Sequence, residues 1–142
     1  MKTDAAKSSF LREHSLSIAS ISILILWIIL YIPSDPSTHL GSFFGNAIAD
    51  WSGVVVTVLA TKFLFEKGSA ESRQSPPNGG RFRQHSLSIF LLITGAGWVL
   101  LFRAMDSEAK WGQVVGNIVS EWTQIFGLVI LTKRLVERNS KE

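Results

Sequence analysis

The chain has 142 residues, of which 46% are hydrophobic and 18% are charged, with a formal net charge of +3 and no cysteine. Its length predicts one domain, but long stretches free of charge are not typical of a soluble domain. The absence of cysteine leaves the redox compartment unspecified.

Four consecutive windows are almost free of charge. They cover residues 15–32, 40–61, 86–102 and 111–132, and their only charged residues are Asp50 and Glu121. About 20 apolar residues are needed to cross roughly 30 Å of hydrocarbon, and each window can do so if its helix extends slightly into the interface. We therefore predict an all-α, four-helix transmembrane bundle. The alternative, a soluble core of buried helices, would require long helices that are apolar on all sides.

The first window begins with the motif HSLSI at residues 14–18, where a signal peptide would also lie. Its apolar run is longer than that of a usual signal sequence, and the following residues, Pro33 to Pro36, contain no small-x-small cleavage site. The same motif recurs at residues 85–89, at the start of the third window. We therefore predict that the first span is retained.

The basic residues are distributed unevenly. All but two of the 14 lysines and arginines precede the first window, separate the second from the third, or follow the fourth; the exceptions are Arg103 and Lys110. The positive-inside rule predicts a multi-pass protein of the cell (inner) membrane with both termini cytoplasmic. Topology accounts for the basic excess, so no nucleic-acid partner is predicted.

The two halves align without gaps when 71 is added to each residue number of the first half. The aligned motif residues are His14 with His85 and Ser15 with Ser86, and the aligned tryptophans are Trp27 with Trp98 and Trp51 with Trp122. We predict two tandem helical hairpins, residues 1–67 and 85–142, joined by a cytoplasmic linker over residues 68–84. Because each unit contains two spans, the repeats run parallel, about an axis along the membrane normal.

Each hairpin has a short outer turn. Asp35 followed by Pro36 is the pattern of a helix N-cap with proline at the first helical position, and Asp106 occupies the place of Asp35 in the second half. We expect the return helices to begin there and to run to about Phe65 and Val136.

Three segments, FLREHSLSI (10–18), FLFEKGSAES (63–72) and NIVSEWTQ (117–124), resemble an uncharacterised, domain-of-unknown-function family of small bacterial integral membrane proteins. The third segment matches the family's Asn-x-x-Ser-Glu-aromatic-x-Gln motif. The first half departs from this motif at Asp50, in place of Glu, and at Gly53, in place of Gln. The outer loops are also shorter than in the family, so no role of those loops is carried over. The resemblance implies a tandem two-helix repeat in a membrane and implies no activity.

The two acids of the windows are expected near the bilayer midplane, since each is about 17 Å from the polar residues at either end of its helix. An ionised side chain at this depth costs about 3 kcal/mol, so such residues usually mark a functional site. The sequence offers no cation at the same depth. Asp50 and Glu121 are therefore predicted to be protonated, to share a proton or to hold a cation.

Helical spacing places further polar residues beside these acids. The candidate proton- or ion-binding residues are Asp50, Glu121, Asn46, Asn117, Gln124 and Thr57. Oxygen ligands suit protons or hard cations better than soft metals. Two alternatives stay open: interhelical hydrogen bonds between neutral acids and amides, or an interface with a partner.

The opposite face carries small residues at four-residue spacing, which predicts close helix packing, either between the two return helices or within each hairpin. These residues are Gly41, Gly45, Ala49, Gly112, Gly116 and Ser120. Trp27 and Trp98 are expected at a depth where their indole N–H groups could reach an acid. For all four aligned tryptophans, packing or interface anchoring is the favoured interpretation.

No nucleophile–base pair, thiol, histidine-rich ligand set or phosphate loop is found, so we predict a protein that is not an enzyme, with no cofactor and no metal site. Two functional hypotheses follow. One is an oligomeric channel or carrier that passes protons or cations along Asp50 and Glu121, and the other is a non-transporting accessory or scaffold subunit. The expected partners are the lipid bilayer and either further copies of the chain or other membrane-protein subunits.

Overall fold

The computed structural model describes residues 10–69, 80–133 and 135. This part of the chain is helical and contains no strand. Its helices are α1 (Ser15–Tyr31), α2 (His39–Phe63), α3 (Arg81–Gln84), α4 (Ser86–Ala104) and α5 (Lys110–Leu131). Three of them, α2, α4 and α5, are long and apolar enough to cross a membrane, whereas the apolar helix α1 is shorter, at 17 residues.

Helices α2 and α5 form the centre of the arrangement. Helix α1 packs against α2, α4 packs against α5, and α2 and α5 pack against each other. The buried residues at these contacts include Tyr31 from α1, Ile48 from α2, Leu91 from α4, and Ile118 and Trp122 from α5. Polar residues that lie between α2 and α5 are therefore held by the two most enclosed helices.

The helix starts follow the spacing found in the sequence. Helices α1 and α4 begin at Ser15 and Ser86, and α2 and α5 begin at His39 and Lys110, so each pair is separated by 71 positions. The ends differ from the expected ones: α2 ends at Phe63 and α5 at Leu131, whereas Val136 lies outside the described residues.

The predicted N-caps of the return helices were wrong. Asp35 Oδ1 accepts hydrogen bonds from the main-chain N–H and the hydroxyl of Ser37, at 2.9 and 2.7 Å. Its carboxylate thus closes a local turn, which is a common use of aspartate. The N-cap of α2 is Thr38, whose hydroxyl accepts a bond from the Gly41 N–H at 3.1 Å. The N-cap of α5 is Ala109, which lies three residues after Asp106.

The two ends of the predicted linker lie side by side, although residues 70–79 are outside the described part. The Lys67 N–H donates to the main-chain oxygen of Gln84 at 2.8 Å, and the Leu87 N–H donates to that of Phe65 at 3.1 Å. The hydroxyl of Ser86 accepts a bond from the Phe65 N–H at 2.9 Å. The segment after α2 therefore runs along the start of α4 at this end of the bundle, which we call the linker end.

At the opposite end, the turn end, Lys110 fastens the second hairpin to the first. Its ammonium group donates to the main-chain oxygens of Ile32 and Ser34, at 2.9 and 2.5 Å. The same group lies 4.6 Å from the centre of the Tyr31 ring. The Tyr31 hydroxyl donates to the main-chain oxygen of Lys110 at 2.7 Å. These four contacts fix the relative height of the two hairpins.

Candidate functional site

The site is centred on a hydrogen bond between two equivalent residues. Nδ2 of Asn117 donates to Oδ1 of Asn46 at 2.6 Å, joining α5 to α2. The two residues are 71 positions apart, which is the spacing between the halves of the sequence. This bond holds the two helices together on the side where both amides are exposed.

Glu121 lies directly against the backbone of α2 at Gly53. A Cβ atom added to Gly53 would be 2.5 Å from both Cγ and Oε1 of Glu121. Only glycine leaves room for this approach. The equivalent residue in the second half is Gln124, so the departure from the motif at Gly53 creates the space that the Glu121 side chain fills.

Asp50 and Glu121 each lie one turn beyond the hydrogen-bonded pair Asn46 and Asn117, near enough for their charges to influence each other. Asp50 is exposed and Glu121 is half-buried. Each is the twelfth residue of its helix, about 17 Å from the helix start. Among the described residues, neither carboxylate accepts a hydrogen bond or forms an ion pair. The two acids therefore lie together, midway along α2 and α5, without a cation from the described part of the chain.

A groove of about 330 Å³ opens beside Glu121. Its lining residues are Gly53, Val54, Thr57, Val58, Glu121, Gln124, Ile125 and Leu128. Thr57 and Gln124 thus share one groove with Glu121, and Asn46, Asp50 and Asn117 are exposed on the same two helices. We call Asn46, Asp50, Asn117, Glu121 and Gln124 the polar face. The structure joins Asn46 to Asn117, places Asp50 near Glu121, and groups Thr57 and Gln124 with Glu121 in the groove, so the six candidate residues extend along α2 and α5 and do not form one compact cluster.

The small residues lie against their own hairpin partners. Gly45 contacts the ring of Tyr31 in α1, and Gly116 contacts the ring of Phe102 in α4. Gly41 and Gly112 each lie over the main-chain oxygen of the preceding turn, at Asp35 and Asp106 respectively. Of the two predicted arrangements, packing within each hairpin and packing between the two return helices, these glycines show the first. Of the remaining two residues, Ala49 is buried and Ser120 is exposed.

The tryptophans differ between the two halves. Trp122 is buried, donates from Nε1 to the Thr94 hydroxyl at 2.9 Å, and packs edge-on against Trp98. Trp27 packs against Phe43 and Phe44, and its buried Nε1 has no hydrogen-bond partner among the described residues. Trp51 is half-buried in α2. The described indole hydrogen bond therefore goes to a threonine and not to an acid.

The HSLSI residues lie at the linker end. Nδ1 of His14 is 2.8 Å from Nζ of Lys62 in α2, and Ser15 donates to the main-chain oxygen of Arg12 at 3.2 Å. His85 contacts Glu66 at 2.6 Å, and the Ser86 hydroxyl bonds to Phe65. Neither histidine side chain caps a helix. Their contacts instead join separate parts of the chain.

Glu66, which was not predicted as a site residue, is fully buried just beyond the end of α2. Its Oε1 contacts Nδ1 of His85 at 2.6 Å and also Nζ of Lys133, and its Oε2 accepts from the Ser88 N–H at 3.1 Å. We call this group of Glu66, His85, Ser88 and Lys133 the Glu66 clasp. A signal was present, since Glu66 aligns with Glu137 when 71 is added to its number.

Burial and hydrogen bonding act in opposite directions on Glu66. Burial disfavours the charged carboxylate, but the hydrogen bonds from His85, Lys133 and Ser88 outweigh it and lower the pKa of Glu66 from 4.5 to about 2. The clasp therefore holds an ionised carboxylate at neutral pH and ties the segment after α2 to α4 and to the end of α5.

Comparison of the chain with protein-family models, with curated proteins and with solved structures finds no match. Among the described residues, no three His, Cys, Asp or Glu side chains are grouped as metal ligands. The resemblance to the small bacterial membrane-protein family stays a prediction.

Proposed function

We propose that the chain is a multi-pass protein of the bacterial inner membrane, with both termini cytoplasmic, that passes protons or hard cations along the polar face. The observation that carries this proposal is the pairing of Asp50 with Glu121, midway along two adjacent helices and without a cation among the described residues. An ionised side chain at the bilayer centre costs about 3 kcal/mol, and residues of this kind are by default functional.

The carboxylates suit the exchange of a proton or a small cation. A carboxylate can bind either a proton or a hard cation, and two carboxylates on adjacent helices offer two such groups at one depth. The amide oxygens of Asn46 and Gln124 add neutral hard ligands on the same face. The groove beside Glu121 gives water or an ion a route to one side of the pair.

The proposed transporting unit is a homo-oligomer. The exposed residues Asn46, Asp50 and Asn117 would otherwise face hydrocarbon. A second copy placed face to face would cover them, because amides carry both donors and acceptors and are therefore self-complementary. It would also bring a second acid pair to the same depth, so that the pathway would be lined by two copies. Four helices alone are too few to enclose such a pathway.

The test is a proteoliposome flux assay driven in turn by a pH gradient and by a Na⁺ or K⁺ gradient. The wild type is compared with the double variant Asp50→Asn/Glu121→Gln and with Asp106→Asn, which makes the same chemical change on an exposed residue of the turn end. We expect flux in the wild type and in the Asp106 variant, and background flux in the double variant. Equal background flux in all three would refute transport by this chain.

A second candidate function, an accessory or scaffold subunit, is favoured by a different surface. A groove of about 290 Å³ lies between α4 and α5, and its lining includes Leu91, Gly95, Ala96, Trp122 and Phe126. The small residues of α4 would let a helix of another membrane protein approach closely. Purification of a stoichiometric membrane partner that is lost on Gly95→Leu, together with background flux for the reconstituted chain, would favour this function.

A further inference from the structure

The Glu66 clasp has a counterpart at the linker end of the first hairpin. His14 precedes α1 as His85 precedes α4, and Lys62 lies near the end of α2 as Lys133 lies near that of α5. His14 and His85 are 71 positions apart, and so are Lys62 and Lys133. In the second hairpin, the histidine and the lysine contact the same carboxylate oxygen, Oε1 of Glu66.

The first hairpin brings the same two groups together. His14 Nδ1 and Lys62 Nζ are 2.8 Å apart, so both can reach a single acceptor atom. Lys62 can donate to His14 only while the imidazole is neutral at Nδ1. The positive charge of Lys62 favours an anion beside the two groups.

A third donor is present in both hairpins. The Ser88 N–H, in the first turn of α4, donates to Oε2 of Glu66. Ser17 occupies the equivalent position in α1 and is buried. The first main-chain N–H groups of a helix have no acceptor within the helix itself. The first hairpin thus repeats all three donors of the Glu66 clasp.

We propose that His14, Lys62 and the main-chain N–H of Ser17 form an oxyanion-binding site, which takes a carboxylate or a phosphate group. Its geometry follows that of the Glu66 clasp, in which one oxygen binds the two basic side chains and the other binds the main chain. The proposal is independent of the transport function, because the site lies at the linker end, far from the polar face.

Two sources can supply the oxyanion. Within the chain, Glu137 aligns with Glu66 when 71 is added to the residue number, and it lies outside the described residues. Outside the chain, the phosphate of an anionic lipid headgroup lies at the membrane surface, where it attracts basic side chains at helix ends. The site would recognise a negatively charged oxygen in either case, so the experiment has to separate the two sources.

The experiment measures the melting temperature of the full chain in dodecyl maltoside, with and without added phosphatidylglycerol. The variants are Lys62→Gln, Glu137→Gln, their double variant and Lys62→Arg. His14→Gln serves as a second probe should Lys62→Gln fold poorly. Lys67→Gln, which removes an exposed positive charge one turn beyond the end of α2, is the matched control.

If Glu137 is the ligand, Lys62→Gln and Glu137→Gln each lower the melting temperature by about 3 °C without added lipid, and the double variant falls no further. If lipid phosphate is the ligand, Glu137→Gln has no effect on the melting temperature. Lys62→Gln or His14→Gln then raises the phosphatidylglycerol concentration needed for half of the stabilisation by at least about tenfold. Lys62→Arg and Lys67→Gln should behave like the wild type. The site is refuted if neither Lys62→Gln nor His14→Gln couples to Glu137 or changes the response to the lipid.

Discussion

The carboxylate of Glu66 differs from those of Asp50 and Glu121 in its surroundings. Glu66 is fully buried and accepts bonds from His85, Lys133 and Ser88. The pair lies midway along α2 and α5, and Asp50 is exposed. Removing a buried acid that has matched donors destabilises a fold because it leaves those donors unpaired, whereas acids held at the depth of the bilayer centre cost stability and are typical of a functional site. Variants should therefore separate stability from transport.

The largest expected loss of stability is at Glu66. Glu66→Ala removes the acceptor of two basic groups and leaves Lys133 largely enclosed, so we expect the free energy of unfolding to fall by about 3 kcal/mol. Unfolding by sodium dodecyl sulfate in mixed micelles measures this change. Glu108→Ala, at an exposed position of the turn end, should change it by less than about 0.5 kcal/mol. If the two variants lose similar amounts of stability, the Glu66 clasp contributes no more to the fold than an exposed glutamate does.

The Glu66 clasp also predicts a pH dependence. Because the pKa of Glu66 is lowered from 4.5 to about 2 by folding, its contribution is complete above about pH 5. It should be lost as the pH falls from about 4.5 towards 2, where the carboxylate takes up a proton in the folded state as well. The difference in stability between the wild type and Glu66→Gln, followed by pH titration of the unfolding midpoint, should shrink over this range. A difference that stays constant down to pH 2 would contradict the ionised clasp.

Gly53→Ala should have the next largest effect, because the new Cβ would lie 2.5 Å from the Glu121 side chain. We expect a destabilisation of about 1–3 kcal/mol from overpacking. Gly127→Ala is the matched control, since a Cβ at Gly127 meets no atom within 4 Å. Adding Glu121→Asp, which shortens the acid by one methylene group, should restore part of the loss. If Gly53→Ala is as mild as Gly127→Ala, Glu121 does not pack against α2.

The smallest effect is expected at the amide pair. Removing the hydrogen bond between Asn117 and Asn46 should cost about 1 kcal/mol, which is typical of polar contacts between membrane helices. Asn46→Ala and Asn117→Ala should cost similar amounts, and the double variant should cost no more than either alone. Additive effects of the two single variants would show that the amides act independently.

Local patterns in the sequence were sufficient for the helix starts, whereas the role of the candidate ligands stays a prediction. The helix starts at Ser15, His39, Ser86 and Lys110 keep the predicted spacing, because apolar runs and turns are local features. The expected N-cap at Asp35 was wrong because Ser37 competes for the same carboxylate within the turn. Whether an aspartate caps a helix or closes a turn depends on side-chain geometry, which the spacing of residues in the sequence does not describe.

Contacts between distant residues could not be predicted. Glu66 meets Lys133 across 67 positions, and Glu121 meets the backbone of Gly53 across 68, so both depend on how the hairpins pack. Within a membrane such packing follows shape and hydrogen bonding more than hydrophobicity, and a hydropathy pattern says little about it. The alignment of Glu66 with Glu137 was a signal in the sequence that pointed to the clasp, as were those of His14 with His85 and Lys62 with Lys133.

The most direct test of the proposed function compares the two kinds of acid in one flux measurement. Proton and cation flux into proteoliposomes is recorded for the wild type, Asp50→Asn/Glu121→Gln and Glu66→Gln, with the amount of folded protein in each preparation matched. We predict background flux for the double variant with undiminished stability, and wild-type flux for Glu66→Gln with reduced stability. Wild-type flux in the double variant would contradict the assignment of Asp50 and Glu121 as the transport site.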